Sequence, residues 1–515
     1  MAASAPSAVI RSIEFHARRD PAQECIVDLR PGEPVRRLSY AEIEAAIAEL
    51  AAGLAAAGVE PGDRVVLRLQ NTSDFVVCLF ACLRAGAIAV PTITQYAGEE
   101  LRYAVEDCGA RALIFDDPDL AVVGEALGGG VAALAAGGAE APGVRPLSEL
   151  GGEEPLAPVP VADEDDALIF YTSGTTAQPK GVVLSHGAIA GASLINAEGW
   201  RLRPTDRSYI VLPLFHCNAL FMQLIPALLS GATAILGERY SASAYLDEAR
   251  EHGITLANLT AGAIRSLLAQ PPSDRDRDHE LRQLTFGLPL HGEEIEAVEA
   301  RFGIPVYMCF GLTESSSGGT RSPVHIDPKS GWQSLGVAQP GWEVAIAGED
   351  GPAAPGEVGE ILFRGPGVMS RYWERPEMTE RALAGGWLHT GDLGTLDPDG
   401  FLFFHSREKD MLKPKGENVA ASEIEQALEE HEGIVEAGVV GVFDPHHEER
   451  IVAMVVGSEV GEEELREHCL ARLAAFKVPK EFVWVAELPK TSIGKINKGE
   501  IKAVVEARTS AEAAR

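Results

Sequence analysis

Apolar runs that switch repeatedly between two periodicities constrain this chain most. LSYAEIEAAIAELAAGLAAAGVE (38–60) has a helical texture, with Ser39 placed to cap it and a glycine placed to stop it. RVVLRL, SDFVVCLFACLRAGAIAVPT and ARALIFDD then alternate strand-like and helix-like patterns. Continuous apolar strands separated by helices predict a parallel sheet wrapped by helices, an α/β architecture, with the 38–60 helix on the surface.

The pattern occurs twice. From Gly128 to about Pro160 the chain turns low in complexity (GGGVAALAAGGAEAPG), which predicts a surface connection. A second α/β pass is expected from DDALIFYTSG through AILGE, ITLANLT and QLTFGLPL to IPVYMCFG. Between about 340 and 405, short β-prone runs broken by Gly, Pro and Asp predict a small β subdomain. Beyond 408, helix, strand, strand, helix and strand patterns outline a compact α+β domain. The expected organisation is a large N-terminal domain, 1–408, of two α/β subdomains plus the β subdomain, followed by a C-terminal domain, 409–515.

With 515 residues, the chain is long enough for two or three domains. Its 76 acidic and 44 basic residues give a net charge of −32, which disfavours nucleic acid and anionic lipid as partners. An anionic substrate would need lysines, glycine amides or a metal at its site to overcome that field. Seven cysteines without a CxxC pair suit a reduced, cytoplasmic protein. The greasiest stretch, ALFMQLIPALLSGATAIL, carries Gln223, Pro226 and a Ser230-Gly231 break, so a buried helix and strand are expected there rather than a membrane span. The N-terminus reaches charge before any apolar run of signal-sequence length.

The segment ALIFYTSGTTAQPKGVVLSH places Thr172, Ser173, Gly174, Thr175 and Thr176 after an apolar strand and before Lys180. Hydroxyls, approachable amides and a lysine suit a polyphosphate; a flexible Ser/Thr/Gly turn is the plainer reading. Neither the Walker spacing nor the dinucleotide fingerprint is present.

YTSGTTAQPKG resembles the signature of the AMP-forming acyl-CoA synthetases, nonribosomal adenylation domains and luciferases. LPLFH (212–216), FGLTES (310–315), GWLHTGDLG (386–394), SREKDMLKPKGENVAASEIE (406–425) and PKTSIGKINKGEI (489–501) resemble further motifs of that superfamily, in order. The resemblance implies a two-step reaction. A carboxylate attacks the α-phosphate of ATP and expels pyrophosphate, and a thiol then displaces AMP from the acyl-adenylate.

It also implies roles. Thr172 to Thr176 and Lys180 would handle the β- and γ-phosphates, Thr313 would contact phosphate, and Glu314 would bind Mg2+. Asp392 and Arg407 would hold the ribose, and Phe310, Gly311 and the Gly287, Leu288, Pro289 segment would enclose adenine. Lys495 would bridge the attacking carboxylate and the adenylate. In the resembling proteins the C-terminal domain turns between two orientations; Lys409 matches the hinge, Gly416 the wall of the coenzyme A tunnel, and His216 a gate between tunnel and acyl pocket.

With no carrier domain attached, coenzyme A is the expected acceptor, and the texture looks most like crotonobetaine/carnitine-type ligases. The acyl pocket is expected near His216, Asn258 to Gly262, Gly287 and Phe310 to Leu312, and none of these is a strong candidate for pairing with a substrate charge. Amino-acid-activating relatives would need an aspartate just after LPLFH, where Cys217, Asn218 and Ala219 supply none. A bulky apolar acid is expected, and the narrowest expectation is a diterpenoid acid of a platensimycin-type pathway. Ala177, Phe286 and Leu288 stand where small residues, glycine above all, are usual in the resembling proteins. An alternative is therefore weak adenylation, with a partner adenylating enzyme supplying the acyl-adenylate. A non-catalytic ligand-binding scaffold is disfavoured because Lys180, Glu314, Asp392 and Lys495 are all present.

Overall fold

The computed structural model describes residues 5–30, 32–96, 98–116, 123, 131–136, 143–150, 152, 154–172, 179–287, 290, 292–323, 334–348, 351–407, 411–412, 419–444, 448–458, 460–473, 475, 477–490 and 495–513. Two compact units divide the chain: residues 1–344 with 362–389, and residues 345–361 with 390–515.

The first unit contains two large sheets, as the repeated α/β texture predicts. One has eight strands in the order Arg371–Tyr372, Lys180–Ser185, Asp166–Thr172, Ile88–Pro91, Arg64–Arg68, Ala112–Phe115, Ala132–Ala135, Val144–Pro146. From Asp166–Thr172 to Val144–Pro146 neighbouring strands pair in parallel, and Ile88–Pro91 and Ala112–Phe115 are buried along their length. The other has nine strands and runs from Val337–Ala338 through Gly319–Arg321, Val306–Gly311, Gln283–Phe286, Leu256–Leu259, Arg207–Ile210, Thr233–Gly237 and Glu24–Leu29 to Arg36–Ser39.

Three sequence expectations change in this unit. The low-complexity stretch supplies strands Ala132–Ala135 and Val144–Pro146, which extend the first sheet in parallel. Alanines are too short to show a strand period by hydrophobicity, yet Ala133 and Ala135 are buried in that sheet's core. DDALIFYT also belongs to the first sheet, because Asp166–Thr172 pairs antiparallel with Lys180–Ser185. Finally, helix Tyr40–Ala56 is capped by Ser39 and Glu42 as a reciprocal box, but it is no plain surface helix. Its Ala48 carbonyl accepts from Leu156 N at 3.1 Å, and a Cβ on Gly53 would lie 2.3 Å from the Leu150 carbonyl oxygen. Small side chains let Leu150, Gly152 and Leu156 lie directly against it.

ALFMQLIPALLSGATAIL folds as expected into buried helical turns and a strand. A π-helical turn, Leu220–Leu224, leads into helix Ile225–Ser230; Gly231 at φ +74° closes it, and strand Thr233–Gly237 follows. Among the described residues no helix is long and apolar enough to cross a membrane.

The second unit holds most of a five-stranded sheet, in the order Gly351–Pro352, Glu343–Gly348, Gly359–Arg364, Leu388–Leu396, Leu402–Arg407. A separate three-stranded sheet in the same unit is formed by Ile434–Asp444, Glu448–Gly457 and Glu481–Trp484. One face of that sheet packs Ile424, Leu428, Leu465 and Cys469 from helices Ala421–Glu429 and Glu462–Leu470, and the other takes Ile501 and Val505 of helix Lys498–Ala513. This is the α+β texture expected beyond 408. All seven cysteines are free thiols.

Candidate active site

Strands Asp166–Thr172 and Lys180–Ser185 form a hairpin in which Thr172 lies opposite Lys180. The Ser/Thr/Gly loop is the connection of that hairpin; Ser173, Gly174, Thr175 and Thr176 lie outside the described residues. The loop's exit is fixed by the Tyr103 hydroxyl, which donates to the Pro179 carbonyl at 2.9 Å. Thr172 Oγ1 is buried without a hydrogen-bond partner among the described residues.

Lys180 Nζ lies 3.0 Å from Glu314 Oε1. Nζ also donates to the Tyr372 hydroxyl at 2.5 Å, and that hydroxyl donates to the same Glu314 oxygen at 2.8 Å. Burial, reinforced by the Glu314 carboxylate, raises the Tyr372 pKa well above the phenol's ordinary value, so the hydroxyl stays a donor. Sequence reasoning missed Tyr372. The signal was RYW, a strand fragment of the β-prone stretch that pairs with Val182 and Val183 beside Lys180.

Thr313 and Glu314 sit on a 3₁₀ turn, Thr313–Ser315, immediately after strand Val306–Gly311. Ser316 and Ser317 follow at φ +50° and +55°, a left-handed pair that bulky residues avoid. Ser315 Oγ accepts from Leu312 N at 2.9 Å, and Ser316 Oγ donates to the Gly367 carbonyl at 2.8 Å. A Cβ on Gly311 would meet Gly318 O at 2.6 Å, so only glycine fits this bend. Phe310 sets its ring edge-on to Phe363 at 5.7 Å.

The Thr313 hydroxyl lies 3.4 Å from Cys217 Sγ. His216, half-buried, stands just before that cysteine with its ring 4.7 Å from that of Phe215. Gly287 ends strand Gln283–Phe286, where a Cβ would approach Asn218 Nδ2 to 3.5 Å. Leu288 and Pro289 lie outside the described residues.

The second unit places Asp392 directly opposite Arg407 on paired strands, with Arg407 Nε 3.1 Å from Asp392 Oδ1. Asp392 is 2% exposed. Its turn is set by Gly391 at φ +70°, whose N–H donates to Glu360 Oε1 at 2.9 Å, and by the Thr390 hydroxyl, which accepts from Asp392 N at 3.1 Å. Lys495 is exposed, just before helix Lys498–Ala513. Lys409 and Gly416 lie outside the described residues.

The chemistry available is plain. In the first unit a cation, a carboxylate and a protonated phenol converge at the hairpin position where Lys180 lies opposite Thr172. In the second, a buried carboxylate is paired with a guanidinium. Among the described residues no cluster of three or more His, Cys, Asp or Glu side chains could hold a metal ion. One carboxylate suffices for a magnesium held mainly by nucleotide phosphates and water, so Glu314 fits that ion as a single oxygen donor.

Comparison with known proteins shows the family of the chain. Residues 13–373 match the model of a family described as AMP-binding enzyme, and residues 423–495 that of the AMP-binding enzyme C-terminal domain. An indoleacetate–CoA ligase of Aromatoleum aromaticum is 33% identical, over 97% of this chain and 98% of its own length. A crotonobetaine/carnitine–CoA ligase of Salmonella paratyphi A is 34% identical, over 91% and 93%. The structure of o-succinylbenzoate CoA synthetase from Bacillus subtilis, in complex with its acyl-adenylate intermediate, superposes with a TM-score of 0.85 at 28% identity, covering 97% of this chain and 98% of that one.

Proposed function

This chain belongs to the AMP-binding enzyme family and is an AMP-forming acyl-CoA ligase, and from that premise we propose how its residues divide the reaction and which acids it takes. ATP, Mg2+ and coenzyme A are its co-reactants. In the first step a carboxylate oxygen bonds to the α-phosphorus and the bond to pyrophosphate breaks. In the second, the sulfur of coenzyme A bonds to the acyl carbon and AMP leaves.

Lys180, Thr172 and Thr313, with Ser173, Gly174, Thr175 and Thr176, receive the phosphates. The observation that carries this assignment is the contact of Lys180 with Glu314, tied by Tyr372. A fixed cation beside the departing pyrophosphate stabilises charge as it develops, and being held already it needs no reorganisation. Magnesium, when bound, would be held by Glu314 and would add positive charge to the phosphates. Asp392 accepts from the ribose hydroxyls with Arg407 beside it. Phe310, Gly311 and the segment Gly287, Leu288, Pro289 border the adenine. Lys495 bridges carboxylate and α-phosphate in the first step. The domain of residues 409–515 turns about Lys409 between the steps, and Gly416 leaves the thiol path open while His216 gates it.

The acid is bulky and largely apolar. Support comes from the absence of any charged side chain at His216–Ala219, Asn258–Gly262 and Gly287 in the sequence. Free thiols throughout suit work in a reducing cytoplasm. A second reading rests on Ala177, Phe286 and Leu288: crowding of the ATP side slows adenylation, and a partner enzyme supplies the acyl-adenylate. Acid-dependent pyrophosphate exchange before and after Ala177→Gly separates the two. Robust exchange in the unmodified protein excludes the second reading, whereas a clear gain in the variant supports it.

The reaction itself is tested by screening aryl, alicyclic and amino acids for ATP-dependent loss of coenzyme A thiol, with AMP and pyrophosphate measured separately. Bulky apolar acids are expected to give thiol loss with equal AMP and pyrophosphate. Preference for amino acids would contradict the substrate assignment.

A further inference from the structure

Strand Leu256–Leu259 reads Leu, Ala, Asn, Leu and is buried throughout. Asn258 is 1% exposed, and neither its amide nitrogen nor its amide oxygen has a hydrogen-bond partner among the described residues. A primary amide offers two donor hydrogens and two acceptor lone pairs, and burying all of them unpaired is among the least favoured arrangements in a close-packed sheet. Thr285, the residue paired with Asn258 on the neighbouring strand, makes no hydrogen bond to it, and its hydroxyl donates to the Ala257 carbonyl at 3.4 Å.

The position of this amide gives it a use. Paired residues of parallel strands project from the same face, so Asn258 shares its face with Leu256, Gln283 and Thr285. A cavity of about 20 Å³, room for about one water, lies beside it on that face, lined by Leu256, Gln283 and Thr285 on one side and by Met222 and Gln223 of the π-helical turn on the other, with Asn258 outside its lining. Gln223 Oε1 and Asn218 Oδ1 are likewise buried without partners among the described residues. Gly287 comes next after the strand paired with this one, and a Cβ on it would lie 3.5 Å from Asn218 Nδ2. The orphaned amides thus gather near the carboxyl ends of parallel strands, where ligands of open α/β sheets bind.

We infer that Asn258 is a specificity-determining residue that hydrogen-bonds a neutral oxygen, carbonyl or hydroxyl, carried on the hydrocarbon body of the acid. Its Nδ2 donates to a carbonyl, and its Oδ1 accepts from a hydroxyl. The inference rests on the acyl-CoA ligase reading and sharpens it: the preferred acid is bulky, mostly apolar and oxygenated away from the reacting carboxylate. The polar groups on this face are amides and hydroxyls, which suit a neutral oxygen and not a second carboxylate. A pocket of pure hydrocarbon discriminates weakly between acids that differ by one oxygen, whereas a buried amide left unpaired rejects the deoxygenated acid strongly.

The experiment uses matched pairs of phenylalkanoic, decalin-carboxylic and steroid-type acids, each with and without a keto or hydroxyl group, and reads kcat/KM for thioester formation. In the unmodified protein the best oxygenated acid is expected to exceed its deoxygenated partner by about a hundredfold. In Asn258→Leu the ratio should fall to within about threefold. Asn258→Ala gives the same comparison should leucine crowd the strand. Melting of the ligand-free protein supplies a reading independent of any acid: exchanging an unpaired buried amide for leucine should raise Tm by about 1–3 °C. A ratio near one in the unmodified protein, a ratio unchanged in the variants, or a lowered Tm would each overturn the inference. Failure of every acid to form a thioester would instead count against the ligase reading, with the direction of the Tm shift still deciding whether the amide is unpaired.

Discussion

Lys180 Nζ and Glu314 Oε1 stand 3.0 Å apart although 134 positions separate them in the chain, and the Tyr372 hydroxyl bonds to both. The three side chains come from a hairpin strand, the turn after Gly311 and a two-residue edge strand. On the proposed assignment Tyr372 is a positioning residue, since its hydroxyl bonds tie the lysine to the carboxylate.

Tyr372→Phe removes one hydroxyl and keeps the ring. A hydrogen bond to a charged group is worth about 1.5–3 kcal/mol, so acid-dependent pyrophosphate exchange should slow by about tenfold to a hundredfold. The loss is expected in kcat more than in KM for ATP, together with a higher Mg2+ requirement as Glu314 loses its fixed orientation. An unchanged rate and magnesium profile would show that Lys180 and Glu314 are positioned without it.

Asp392→Asn tests the ribose assignment. The unmodified protein should discriminate against 2′-deoxy- and 3′-deoxy-ATP, and the variant should lose most of that discrimination while its kcat/KM for ATP falls about tenfold or more. Equal discrimination in the two proteins would leave the Asp392–Arg407 pair a structural ion pair only.

Local signals survive in the sequence where chemistry or capping fixes them. The Ser39 cap and the Gly231 stop were legible because each depends on a few adjacent residues. The two-sheet α/β plan was legible from alternation. What escaped were relations made by distant pairing. Nothing in ECIVDL says that it will lie beside Thr233–Gly237 in the second sheet, nor in the alanine-rich stretch that Ala132–Ala135 will extend the first. Tyr372 escaped for the same reason, since its role appears only once its strand pairs beside Lys180. Asn258 was placed in the expected acyl pocket but passed over, because an asparagine's partners cannot be counted before the strand is buried.

His186 gives the fold a pH dependence. It is 2% exposed, neither ring nitrogen has a partner among the described residues, and burial lowers its pKa from the ordinary 6.5 to about 4, with Asp163, Asp165 and Asp166 opposing the shift. Because the unfolded chain takes up a proton that the native site refuses, stability falls as pH drops from about 6.5 toward 4 and is unaffected above. Between pH 7 and pH 5 this site alone should cost about 2 kcal/mol. Urea unfolding of His186→Gln at the two pH values should show the difference shrinking by about that amount. An equal difference in both proteins would mean that His186 titrates normally.

Lys495→Ala should separate the half-reactions. Removing a donor that acts only in the first transition state costs about a hundredfold to a thousandfold in adenylate formation, while thioester formation from a supplied acyl-adenylate should stay largely intact. Equal losses in both steps would contradict a domain that turns between them.

The route through an acyl-adenylate is tested most directly by following the oxygen of the acid. With a substrate acid labelled with ¹⁸O in both carboxylate positions, each thioester formed should leave one ¹⁸O in the phosphate of AMP, because that oxygen bridges carbon and phosphorus in the intermediate. Label recovered in inorganic phosphate, with ADP as the nucleotide product, would mean that an acyl phosphate forms instead and would contradict the account.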